Sequence, residues 1–167
     1  MRFARLQIVL AAALLSVVSG RVLAQVEHEK SLFSEEDEKT LAAYPLDLVK
    51  FDRFETALRE LDLQAQKDEA LKAELDQDEA KAAGLDRFIE SIEKEKPKMM
   101  AILKAAGMTA REFVLTSFSV TIAMVYADLI KAQADAALPP YVPRENLGFV
   151  KRYEERLSKL FQDLNHE

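Results

Sequence analysis

The stretch "GMTAREFVLTSFSVTIAMVYADL", Gly107 to Leu129, decides the fold of this chain. No charge stands between Glu112 and Asp128, although 31% of all residues are charged. Three readings compete: a membrane span, the wall of a ligand cavity, or the middle of a core. The 15 charge-free residues fall short of the roughly 18–20 that a spanning helix needs. On a helical period Val114, Leu115, Phe118, Ile122, Val125, Tyr126 and Leu129 share one broad face. Phe113, Val120 and Met124 add a second apolar sector, and a helix apolar nearly all round is one that other helices surround. Thr116, Ser117, Ser119 and Thr121 are compatible with this, because hydroxyls can bond back to the preceding turn. The expectation is a central apolar helix over 109–136, with Phe118 and Met124 among its inaccessible side chains. Charge placed at Val125 or Phe118 is expected to prevent folding.

The residues just before this helix mark where it begins. Gly107 suits the left-handed stop of a preceding helix, with Met108 folding back as its hydrophobic contact. Thr109 and Glu112 then form T-x-x-E, in which each side chain satisfies a backbone N–H near the other. "AAGMTARE" therefore specifies a sharp corner between two helices.

Working outward, the chain supplies partners for the central helix. Ser34 caps a short helix with Glu35, Glu36 and Asp37 in its first turn, and Pro45 ends it. Asp47 caps a helix over 48–66, with Leu48, Phe51, Phe54, Leu58 and Leu61 at steps of three and four. Residues 68–75 read as a short exposed helix, where charge at Leu71 is expected to be tolerated. The period returns over 79–94 at Leu85, Phe88, Ile89 and Ile92, and Pro97 opens another helix containing Met100 and Leu103. "ALPPYVPREN" is an extended connection. It leads to a last helix over 144–164, whose stripe of Leu147, Val150, Leu157, Phe161 and Leu164 serves either internal packing or a partner helix. The fold class is all-α: a compact helical bundle of about five to six helices around 109–136, as a single domain over 34–167.

The first 24 residues are of another kind. Arg2 and Arg5 precede the apolar run Leu6–Val18, and Val22 and Ala24 suit signal peptidase, so 1–24 reads as a cleaved secretory signal peptide. An uncleaved anchor helix is the competing reading. Residues 25–33 follow as a flexible tail. With no cysteine there is neither a lipobox nor a disulfide, and the expected location is the periplasm, without a stable membrane span after cleavage. The leader holds three arginines and no acid, leaving 20 basic and 29 acidic residues, net −9. Such a balance argues against nucleic acid and anionic lipid as partners.

The catalytic inventory is short. The histidines are His28, in the tail, and His166, next to last, so neither Ser-His chemistry nor histidine-ligated zinc or haem is expected. "LDQDEAKAAGLD" at 75–86 superficially matches a calcium loop. However, Ala80, Lys81 and Arg87 occupy positions that need an acid, a glycine and a glutamate. No catalytic residue, metal or cofactor is therefore expected. Ser117, Thr121, Asp128 and Asp135 fall on one stripe of the central helix. The stripe is either that helix's most exposed edge or a polar wall for a ligand. In the second case the ligand-binding residues are Ser117, Thr121, Met124, Tyr126 and Asp128.

Three stretches carry a resemblance: "YPLDLVKFDRF" at 44–54, "AAGMTAREFVLTSFSVTIAM" at 105–124 and "PRENLGFVKRYEERL" at 143–157. Together the chain resembles small exported, mostly helical bacterial proteins of unknown function. It departs from their pattern where Leu46 and Asp47 stand in place of a threonine and Ala110 in place of a proline. The resemblance implies no activity, cofactor or site residue. The expected role is non-enzymatic binding of an envelope protein, a peptide or an apolar small molecule. The alternative is a hydrolase-like or other enzyme using Asp and Glu carboxylates in a helical cleft.

Overall fold

A computed structural model describes residues 33–76, 84–133 and 136–165. The leader, most of the tail, residues 77–83 within the calcium-loop-like segment 75–86, His28, Asp135 and His166 lie outside the described residues. Within them the chain is all-helical and has no strand. Eight helices occur, against five to six expected: α1 (Glu35–Ala42), α2 (Leu48–Ala65), α3 (Glu69–Asp76), α4 (Leu85–Glu95), α5 (Pro97–Ala105), α6 (Ala110–Ala132), α7 (Arg144–Arg152) and α8 (Glu154–Asn165).

The corner between α5 and α6 forms as its residues dictate. Gly107 has φ 74°, and the N–H groups of Met108 and Gly107 donate to the carbonyls of Leu103 (2.9 Å) and Lys104 (3.1 Å). These two bonds close α5, and Met108 is buried. Glu112 N–H donates to Thr109 Oγ1 (3.1 Å), and Thr109 N–H donates to Glu112 Oε2 (3.0 Å). Thr109→Ala is expected to lower unfolding free energy by about 1 kcal/mol, read as a shift in the urea midpoint at constant slope. An unchanged midpoint would remove the capping box from the account of this corner.

α6 packs against α1, α2, α4, α5 and α7. Val114, Val120 and Ile122 are fully covered, and the Phe113 ring packs on Phe54 of α2 at 5.3 Å between centroids. By length and composition α6 could cross a membrane, but 56% of its most apolar window is buried inside the fold. Two expectations for this helix need correction. Phe118 and Met124 are half-buried rather than inaccessible. The Phe118 ring packs edge-to-face with Phe33 and Phe88, at 5.7 and 6.1 Å between centroids, while Met124 opens onto a cleft described below.

A further correction concerns α3. It is not an exposed helix, because Leu71 is 1% accessible and Leu75 is also buried. Two leucines one turn apart are enough to seat a short helix between α2 and α5, which it touches on either side. Leu71 is therefore a core position, intolerant of charge.

The expected single helix over 144–164 is interrupted at Tyr153 (φ −110°, ψ 22°). That break lets α7 lie along α6 while α8 turns onto α2.

α4 and α5 lack side-chain caps of their own. α4 begins after Gly84 (φ 99°), and the N–H of Leu85 donates instead to Asp37 Oδ1 of α1 (3.0 Å). α5 begins with Pro97, and the N–H groups of Lys98 and Met99 donate to Glu74 of α3 (both 3.0 Å to Oε2). Carboxylates from neighbouring helices thus satisfy donors that each helix leaves open.

Candidate functional site

Of the five residues proposed from sequence, Met124 and Asp128 come together in a cleft between α6, α7 and α8. Its floor is apolar, made by Met124, Ala127, Val150 and Leu157. Its rim is polar, made by Asp128, Lys131, Lys151, Glu154 and Ser158. The cleft lies where α7 ends at Arg152 and the break at Tyr153 turns α8 onto α2. It encloses about 60 Å³, well below the roughly 300–1,000 Å³ of sites that engulf small molecules. A site of this size admits one small apolar group.

The rim's electrostatics are partly settled internally. Lys131 Nζ reaches Glu154 Oε1 at 2.6 Å and Asp128 Oδ1 at 3.3 Å. Its ammonium pKa is raised, first by the bond to Glu154 and then by that to Asp128. One cation thus bridges α6 to α8 and occupies both carboxylates of the cleft. Lys151 has no such partner among the described residues.

Ser117 and Thr121 lie on the same side of α6 as Met124 and Asp128, toward its N-terminus. Ser117 is 7% accessible, so the stripe is no exposed edge at that end. Tyr126 stands apart from the other four. Two residues beyond Met124, it lies about 200° further round the helix. There it neighbours Tyr141, whose pKa is raised first by burial and then by the Tyr126 hydroxyl.

Other polar groups in the core are structural. The hydroxyls of Tyr44 and Thr116 are 2.9 Å apart, and burial raises the Tyr44 pKa. Asn146, 1% accessible, accepts from the N–H of Leu46 (2.8 Å) and donates to the carbonyl of Tyr44 (3.0 Å). Its side-chain amide therefore pairs with the α1–α2 connection as a strand would. Ser119 Oγ is buried and has no hydrogen-bond partner among the described residues.

No protein-family model, curated protein or solved structure matches the chain. The chemistry of the site therefore rests on its own geometry. Among the described residues no group of three or more His, Cys, Asp or Glu could hold a metal ion. The buried acid Asp37 is engaged in capping: Oδ1 accepts from Leu85, and Oδ2 from the hydroxyl of Ser34 at 2.8 Å.

Sequence reasoning missed Lys131, Lys151, Glu154 and Ser158. Leu157 and Val150 were on the expected inner stripe, but the break that turns them toward Met124 has no local sequence signal such as glycine or proline.

Proposed function

We propose that this is an exported, non-enzymatic binding protein of the bacterial envelope, built around α6 as its central helix. Its α6–α7–α8 cleft takes an apolar side chain of a protein or peptide partner. The observation that carries the reading is the cleft itself, with an apolar floor drawn from three helices and a polar rim. This is the local chemistry of a side-chain anchor. Binding is favoured over carboxylate catalysis because Asp128 and Glu154 are both engaged by Lys131 and lie at a rim rather than in a buried site. Export is supported by the basic and apolar leader over 1–24.

Native mass spectrometry of protein purified from its own envelope tests both parts. The expected result is a chain beginning at Gln25, recovered from the soluble periplasmic fraction with a bound peptide or partner. Ala127→Leu, which fills the floor of the cleft, should abolish that binding while the helical circular dichroism persists. A full-length chain in carbonate-washed membranes would end the export reading. Retention of the partner by a folded Ala127→Leu protein would end the cleft reading.

A further inference from the structure

Gly148 stands at the middle of α7 and at the centre of its outer face. Asn146, Leu147, Phe149 and Val150 are buried, whereas Arg144, Glu145, Gly148, Lys151 and Arg152 are exposed. The backbone at Gly148 is not in the left-handed region, and a Cβ placed there would meet nothing within 4 Å. Neither conformation nor packing inside this chain asks for glycine, which apart from proline is the least favourable residue in a helix interior.

The surroundings of Gly148 differ from the rest of the chain. None of Arg144, Lys151 and Arg152 forms an ion pair with another described residue. With Glu145 they give this face an excess of positive charge, in a chain whose formal net charge is −6. Lys151 also lines the cleft, so the outer face of α7 and the cleft are continuous.

We propose that an acidic peptide segment of a partner protein lies across α7, its backbone against Gly148. Its carboxylates meet Arg144, Lys151 and Arg152, and one of its apolar side chains enters the cleft. This rests on the binding reading above and gives the partner its chemistry. A missing Cβ lets another backbone approach closely, which accounts for a glycine that the fold does not need. The cations set the sign of the partner: on the outer face Arg144, Lys151 and Arg152 outnumber Glu145, and Lys131 offsets one of the cleft's two carboxylate charges. A peptide is favoured over nucleic acid or an anionic membrane because the acidic remainder of the chain repels an extended polyanion.

The test is an NMR titration of the full protein with two peptides, acetyl-Asp-Glu-Leu-Asp-Glu-Leu-amide and its Asn/Gln-for-Asp/Glu counterpart. The acidic peptide should shift the amides of 144–152 and the Met124 methyl saturably, and bind roughly tenfold more tightly than the neutral one. Gly148→Ala should raise Tm by about 3–6 °C, through helix propensity, yet weaken the acidic peptide roughly tenfold. A lowered Tm, or unchanged affinity in that variant, overturns the role of Gly148. Equal binding of both peptides at the cleft overturns the acidic partner and leaves the binding reading intact. No shift at the cleft with either peptide removes both. Co-sedimentation with phosphatidylglycerol vesicles in place of peptide binding would overturn the proposal in favour of a lipid surface.

Discussion

Val120→Asp is expected to leave the chain unfolded at 25 °C, while Val125→Asp, on the same helix, leaves it folded with reduced stability. Val120 is 0% accessible, on a helix that five others contact, whereas Val125 is half-buried. A carboxylate at 120 has no route to water. Its desolvation, several kcal/mol even after relaxation, takes most of the ~5–15 kcal/mol by which a domain of this size is stable. At 125 the carboxylate can turn toward solvent, and the loss is the burial of part of a valine, about 1–2 kcal/mol. Far-UV circular dichroism in the absence and presence of urea separates the outcomes. Equal behaviour of the two variants would mean that α6 is covered on the other side, and the packing described here would be wrong. This contrast also revises the expectation from sequence that charge at Val125 or Phe118 abolishes folding.

Asn146→Ala is the second large effect expected, at about 2–4 kcal/mol. Two hydrogen bonds are lost, and the Leu46 N–H is left in the core with no acceptor. The cost exceeds that of an ordinary surface asparagine because the partners are backbone groups that cannot turn away. Urea unfolding at pH 7 measures it. A loss under about 0.5 kcal/mol would show that water reaches Leu46 and that the amide bridge is dispensable.

What could be read from sequence is what depends on residues within about four positions of one another. The corner at Gly107 and Thr109 is fully specified by six adjacent residues, and Ser34, Asp47 and Pro97 begin their helices as their chemistry directs. The stripe of Ser117, Thr121 and Asp128 follows from helical spacing for the same reason, with Met124 expected beside it. Tyr126 was grouped with it by proximity in sequence, and helical geometry places it on the far side. The rest depended on which helix meets which. Leu71 and Leu75 look sparse in a charged segment, yet α2 and α5 bury them. Nothing near Lys131 announces that its partner is Glu154, 23 residues on and across a helix break. Asn146 sits in a helix among buried apolar neighbours. A polar residue in such a stripe is the one signal that could have pointed to its bridge with the Tyr44–Leu46 connection.

The caps lent to α4 and α5 bear on how the chain assembles. Leu85 waits on Asp37, 48 positions earlier, and Met99 on Glu74, 25 positions earlier. Neither helix has these open donors satisfied until another has docked beside it, and at 11 and 9 residues both are too short to persist alone in water. Nucleation therefore falls to α2 and α6, which carry their own caps and greater length. α4 and α5 form as consequences of docking rather than as independent seeds. The middle of the chain is thus kinetically subordinate to its flanks, and a nascent chain ending before α6 would lack the surface on which that middle region is ordered.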